Sequence, residues 1–285
     1  MKRILFFLLL TCSTAVFANE TSLRILSWNI KMLPRQFNSF IKHFPLQRSN
    51  IIPELLNNDS VDVICFQEAF DRRVNNKLIK ALSAKFPYVI GPANERTGKL
   101  KLNSGIIFFS RFPMEKLGSI VFDDCGEENC MALKGGLLVE VTVKDKKIQI
   151  LGTHMDASPD EKIKESQLKQ LSGLLEKNTK NAVPQLICGD FNIEKTNKSL
   201  YQKMLSFLKA DDGPLSGDLQ YSFDPSKNDM NYENDTPKLI DFILLRSNGF
   251  KQKVTERKIR RYEKKWNKKQ SDLSDHFAVL MEMEL

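Results

Sequence analysis

The sequence predicts one α/β domain built as a sandwich of two packed β-sheets flanked by helices. Three observations point there. Seven short apolar runs of strand-like composition, at residues 23–26, 61–66, 106–109, 148–152, 186–188, 239–245 and 277–280, have polar side chains at one end. Between them lie stretches whose apolar residues recur at helical spacing. No internal repeat or low-complexity linker divides the chain, so residues 19–285 are expected to form a single domain. Strands that each carry polar groups at an end are what one rim of a sheet sandwich looks like when a site is built there.

Residues 1–18 contain Lys2 and Arg3, an apolar run at 4–10 and a small-residue exit ending at Ala18. This is the pattern of a cleaved secretory signal, too short to span a bilayer, and it predicts a secreted or periplasmic protein. The formal net charge is +8, with Lys2 and Arg3 contributing two of the cations. A basic surface draws anionic lipid headgroups and nucleic acid alike, so charge does not choose between them. Export implies an oxidising compartment. Cys125 and Cys130 bracket Gly126, Glu127, Glu128 and Asn129, a loop short enough for a disulfide to close, whereas Cys65 and Cys188 sit in apolar runs and read as buried thiols. No second pair of soft ligands lies nearby to make a zinc cluster.

In chain order, the first strand at 23–26 leads into Ser27, Trp28 and Asn29. An irregular polar stretch follows, then a helix expected around 50–56 with Pro53 in its first turn. His43, among Phe40, Phe44 and Leu46, reads as structural. The strand at 61–66 runs into Gln67 and Glu68. Residues 71–86 carry Val74, Leu78, Ile79, Leu82 and Phe86 on one helical face. The strand at 104–110 precedes Arg111, and the strand at 148–151 precedes His154. Ser158 as N-cap, Pro159 at the first position and Glu161 at the third open a helix with Leu168, Leu171, Leu174 and Leu175 on its buried side. After the strand at 186–188 come Asp190, Phe191 and Asn192, then a helix at 196–208 with Leu200, Met204 and Leu208 inside. Residues 211–237 are rich in Asp, Asn, Ser, Gly and Pro and predict a loop near the site, with Tyr221, Phe223 and Tyr232 embedded in it.

The polar ends carry the chemistry. Asp190 and Asn192 are two positions apart, so on an extended backbone both leave one face while Phe191 returns to the core. A carboxylate with an amide suits hard divalent cations and a phosphate-bound water, hence Mg²⁺-assisted phosphoryl chemistry. Glu68, at the end of an apolar strand, needs a partner there, and a bound cation is the strongest available. Asp241 interrupts its strand and, buried, would hold His276; a histidine fixed in this way takes a proton from water near neutral pH. Asp275 is then left to face the metal. His154 follows a strand and is placed to donate to a phosphate oxygen as charge builds. The basic stretch at 251–269 sets Tyr262 and Trp266 among Arg260, Arg261, Lys264, Lys265, Lys268 and Lys269. An amphipathic tryptophan among cations suits a lipid headgroup layer.

Taken as an ordered set, WNI, QE, SG followed by SRFP, GTH, GDFN, IDFIL and SDH resembles the endonuclease/exonuclease/phosphatase superfamily. That superfamily has the fold of pancreatic deoxyribonuclease I, a four-layered α/β sandwich, and the resemblance covers nearly the whole chain after residue 18. It implies that Glu68 is the primary Mg²⁺ ligand with Asn29 and Asp275 beside it, Mn²⁺ or Co²⁺ being able to substitute. Asp190, Asn192, His154, Asp241 and His276 would do the chemistry. Two further segments resemble bacterial neutral sphingomyelinases: EAFD, containing Phe70 and Asp71, and CGEENCMALKGGLLVEV, whose Lys134 and Gly135 match a Lys-Gly pair. YSFDPSKN, containing Phe223, resembles the family's aromatic loop. Sphingomyelinases carry an aromatic hairpin before SDH; this chain has Trp266 there without an adjacent second aromatic.

The expected protein is therefore an exported, monomeric Mg²⁺-dependent phosphodiesterase. It would act at a phospholipid or sphingomyelin membrane surface, with Lys134, Phe70, Asp71, Phe223 and Trp266 toward substrate. A secreted nuclease acting on nucleic acid is the rival, and a non-catalytic surface-binding protein on the same scaffold is the remaining class.

Overall fold

The computed structural model describes residues 22–36, 43–94, 101–231, 235–246, 248–249 and 252–285. The expected signal at 1–18 and Tyr232 lie outside them. One sheet contains β1 (Ser22–Met32), β2 (Val63–Ala69), β3 (Tyr88–Ile90), β4 (Ile107–Ser110), β10 (Lys253–Arg260) and β11 (Ala278–Glu284), in the order β10-β11-β1-β2-β4-β3. The other contains β5 (Met114–Val121), β6 (Gly135–Val143), β7 (Lys146–His154), β8 (Gln185–Asp190) and β9 (Asp241–Arg246), in chain order. Helices α1 (Pro45–Asn57) and α2 (Arg72–Leu82) cover the first sheet; α3 (Glu161–Lys177) and α4 (Lys198–Leu208) cover the second. This is the four-layered sandwich.

Strand alternation sorts the core. Leu23 and Ile25 of β1 and Val63 and Cys65 of β2 point between the sheets, where Cys65 meets Cys188 and the face of β7 that carries Gly152. Leu26, Trp28 and Ile30, with Ile64 and Phe66, point the other way into the layer under α1 and α2, where Ile52, Val74, Leu78 and Leu82 meet them. The two free thiols, Cys65 and Cys188, are both buried. Among the described residues no helix is long and apolar enough to cross a membrane.

Topology gathers the polar ends. β1 runs parallel to β2, and β7 parallel to β8, so Asn29, Glu68, His154 and Asp190 all lie at carboxyl ends. β9 is antiparallel to β8 and β11 antiparallel to β1, which brings the amino ends of β9 and β11, with Asp241 and His276, to the same rim. Register completes the placement: Asp190 is paired with His154 on one side and Asp241 on the other.

Several boundaries differ from expectation. α1 begins at Pro45, which takes the first-turn role, and Pro53 lies inside the helix. α2 ends at Leu82; Phe86 packs beneath it from the following turn. α3 is capped by Asp160, whose side chain accepts from the Lys162 N–H, rather than by Ser158. The Ser158 N–H is already taken by Asp156 Oδ1 at 2.8 Å, so the chain turns there before the helix starts. α4 starts at Lys198 with Asn197 as cap. The loop after α4 is irregular as expected, pinned by isolated bridges such as Phe223 to Lys238.

Candidate active site

Asp190 is the centre of the rim. Its Oδ2 accepts from Asn29 Nδ2 at 3.0 Å and lies 3.7 Å from His154 Nε2 and 3.8 Å from His276 Nε2. Its Oδ1 accepts the Asn192 backbone N–H at 2.9 Å. The preceding glycine is required: Gly189 has φ 148°, and a Cβ there would lie 1.9 Å from the Thr153 carbonyl oxygen of β7. The backbone does not stay extended beyond Asp190. Asn192 adopts φ 51°, its side-chain amide donates to the Met155 carbonyl at 3.1 Å, and Phe191 is buried as the alternation required. Asn192 thus supports Asp190 through its main chain.

Glu68 arrives by a backbone irregularity. Alternation from Ile64 and Phe66 would aim it into the helical layer, but its φ of 56° breaks the alternation, and the β1–β2 register shifts beside it. Its Oε1 accepts from the same Asn29 amide nitrogen that serves Asp190, at 3.1 Å. Two carboxylates therefore converge on one neutral donor. The Asn29 carbonyl oxygen accepts the Lys31 N–H at 3.1 Å.

His276 Nδ1 donates to Asp241 Oδ2 at 2.8 Å, which leaves Nε2 facing Asp190. Trp28 Nε1 donates to the His276 carbonyl at 2.8 Å, and the Phe223 ring stands edge-on to the imidazole with centroids 5.4 Å apart. Burial pushes the His276 pKa down, but Asp241, Asp190 and Asp275 outweigh it and hold it at about 10. Burial, reinforced by Asp241, lifts Asp190 to about 7.

His154 is placed differently from expectation. Lys134 Nζ lies 3.1 Å from His154 Nε2, and an ammonium only donates, so this nitrogen accepts instead of offering a hydrogen to substrate. Burial, then Lys134 and His276, push the His154 pKa well below its usual value. Lys134 spends its other donors on Asn129 Oδ1 at 2.9 Å and the Met155 carbonyl at 3.0 Å. Gly135 after it allows β6 to approach β5, since a Cβ would lie 1.9 Å from the Ile120 carbonyl oxygen. The Cys125–Cys130 disulfide forms, with Cα atoms 5.3 Å apart, and carries Asn129 on its loop.

Three expected site residues are occupied elsewhere. Asp275 pairs with Lys31 at 2.6 Å instead of opening toward Glu68. Asp71 is the N-cap of α2, accepting from Arg73 and Val74 and pairing with Arg35 at 2.9 Å. Trp266 is half-buried: its indole N–H donates to the Asp272 carbonyl at 2.7 Å and its ring packs on Phe44. Phe70, by contrast, lines a cavity beside Glu68. His43 is buried, its ring bonded to the Leu33 carbonyl.

The motifs do not reveal Arg48. Fully buried, it donates to the carbonyls of His43, Ile30, Leu273 and Lys31, tying the segment after Asn29 to the segment before His276. Burial lowers its pKa to about 10. Its only sequence signal is an arginine in the amphipathic stretch of α1. Lys31 was legible only as the neighbour of Asn29.

The donor set fits a divalent metal: ligand atoms of Asp190, Asp241 and His276 lie within 4.8 Å of one another, and Glu68 and Asp190 converge on Asn29. Fold and site together define a metal-dependent phosphodiester hydrolase. The chain belongs to the Endonuclease/Exonuclease/phosphatase family, whose model matches residues 26–276. It is 26% identical over 249 residues to a phospholipase C of Staphylococcus aureus, covering 79% of this chain and 74% of that one. It is 24% identical over 297 residues to a sphingomyelinase C of Bacillus cereus, covering 91% and 88%. A crystal structure of a beta toxin variant from Staphylococcus aureus with bound magnesium ions superposes with a TM-score of 0.81 at 22% identity, covering 92% of this chain and 99% of that one.

Proposed function

We propose that this chain is an exported Mg²⁺-dependent phosphodiesterase that cleaves sphingomyelin to ceramide and phosphocholine. The observation that carries the reading is the Asp241–His276 dyad, with its free Nε2 turned toward Asp190 across from the Glu68 carboxylate. The lipid substrate is supported by relatives named phospholipase C and sphingomyelinase C at about a quarter identity.

Glu68 and Asp190 would hold the metal, since Mg²⁺ prefers oxygen donors; Asn29, expected as a ligand, instead turns its amide nitrogen to both carboxylates while its oxygen accepts the Lys31 N–H. Bound there, the ion would neutralise phosphate charge, and its own positive charge would oppose the carboxylates that raise the His276 pKa. His276 Nε2 then takes a proton from water lying beside Asp190, while Asp241 fixes the tautomer and stabilises the imidazolium that results. Lys134 has spent its hydrogen-bond donors on Asn129, Met155 and His154, so it contributes positive charge to the opposite wall rather than a free N–H.

Phosphocholine release from sphingomyelin vesicles, compared with plasmid DNA degradation, each with Mg²⁺ and with chelator, tests the reading. Mg²⁺-dependent release of phosphocholine is expected. Cleavage of DNA alone would overturn the lipid assignment, and tight liposome binding without turnover would favour a binding module. N-terminal sequencing of the exported protein checks removal of residues 1–18.

A further inference from the structure

The Asp241–His276 hydrogen bond crosses from one sheet to the other. Asp241 opens β9 and His276 precedes β11, and these strands are not neighbours in either sheet, so no ladder register fixes the separation of the two side chains. One buried residue of the loop after α4 touches the backbone on both sides. Ser222 Oγ accepts the N–H of Asp241 at 3.1 Å and that of Ile240 at 3.2 Å, while the Ser222 carbonyl accepts the Phe277 N–H at 2.6 Å. We propose that Ser222 is a positioning residue for the Asp241–His276 pair, setting the distance and tilt between carboxylate and imidazole. The inference rests on the phosphodiesterase reading and adds what holds its proton-taking pair together.

The contacts fall on two peptide groups. The group joining Ile240 to Asp241 has its carbonyl held by the Phe191 N–H at 3.0 Å and its N–H held by Ser222 Oγ. The group joining His276 to Phe277 has its carbonyl held by Trp28 Nε1 and its N–H held by the Ser222 carbonyl. Each is gripped on both sides, and Ser222 is the partner they share. A hydroxyl oxygen has two lone pairs, so one Oγ can receive both N–H groups at the entry to β9. β9 ends its sheet, and no further strand lies beyond it among the described residues. The loop is itself anchored to the segment leading into β9, since Phe223 and Lys238 exchange backbone hydrogen bonds at 3.0 and 2.7 Å.

Hydrogen bonds weaken steeply with misalignment, and a catalytic group displaced by about 1 Å loses roughly a hundredfold in rate. Ser222→Ala keeps the main-chain contact to Phe277 but removes the acceptor of two buried N–H groups, which frees Asp241 to shift relative to His276.

Ser222→Ala should lower kcat by about tenfold or more, with KM within about threefold of wild type. In an Asp241→Asn background the same change should lower kcat by less than about threefold, because the contact it serves is already weakened. In metal-free protein, the proton resonance of His276 Nδ1–H, assigned by its loss in His276→Gln, should move upfield and exchange faster with water in Ser222→Ala. Glu140→Gln, at the opposite end of the second sheet, should leave both kcat and the resonance unchanged. If the alanine variant does not fold, Ser222→Cys, which fills the same space with a weak acceptor, carries the same comparison. A kcat within about threefold of wild type, a loss that multiplies in full with that of Asp241→Asn, or an unmoved resonance overturns the assignment. If the wild-type protein cleaves neither sphingomyelin nor DNA, a resonance that still answers to Ser222 removes the activity and retains the positioning role.

Discussion

Replacing Asp241 by asparagine isolates the charge that holds His276. The carboxylate accepts from Nδ1 at 2.8 Å through Oδ2, and its other oxygen is buried with no hydrogen-bond partner among the described residues. An asparagine can keep its carbonyl oxygen on Nδ1, so the tautomer survives and only the charge is lost. A hydrogen bond to a charged group is worth about 1.5–3 kcal/mol, which corresponds to a fall in kcat of roughly 10- to 150-fold. KM should hardly move. The metal-free protein supplies a second readout. His276 is held at about 10, above its ordinary 6.5, so its contribution to stability is complete below 6.5 and lost as pH rises through about 10. Asp241→Asn should flatten that loss in urea unfolding measured across the same window. A kcat within threefold of wild type, or an effect confined to KM, would refute the dyad as the proton-taking unit.

Magnesium titrated calorimetrically into Glu68→Gln should bind at least about tenfold more weakly than into wild type; equal affinity would move the metal away from Glu68. Arg48→Met leaves four carbonyls without their donor and should cost about 3–5 kcal/mol in urea unfolding, whereas a loss under about 1 kcal/mol would mean that the clamp is replaceable by water. Glu140 is buried between Lys147 at 2.6 Å and Lys180 at 2.7 Å, and although burial pushes its pKa up, these partners bring it down from 4.5 to about 2. Its stabilisation is therefore present above pH 4.5 and lost as pH falls through about 2. Glu140→Gln should remove roughly 2 kcal/mol of this acid-sensitive stability after screening by its half-exposed lysine partners, visible as a shallower decline between those two pH values.

Local rules along the chain are enough for part of the fold. Apolar runs, helical spacing at Leu78 and Leu82, and the short interval between Cys125 and Cys130 depend on neighbours in the chain, and each has its counterpart in the structure. Caps were less legible. Ser158 satisfied a capping pattern, but Asp156, which turns the backbone at Ser158, competes for the same N–H. Trp266 among lysines suggested a headgroup anchor, yet its indole is taken by the carbonyl of Asp272 and its face by Phe44, a residue more than two hundred positions earlier. No spacing rule reaches that far.

The sequence by itself determined which residue types stand at the strand ends, the alternation that places Asn29 between the sheets, and the family to which the ordered motifs belong. Only the tertiary structure decided what those groups do to one another. A left-handed turn at Glu68 swings its carboxylate out of the helical layer, Lys31 claims Asp275, and Lys134 occupies the nitrogen of His154. The physical reason is that a polar group brought out of water must be satisfied by whatever lies within about 3 Å. At this rim those neighbours come from both sheets, brought together by parallel pairing and crossover rather than by position along the chain.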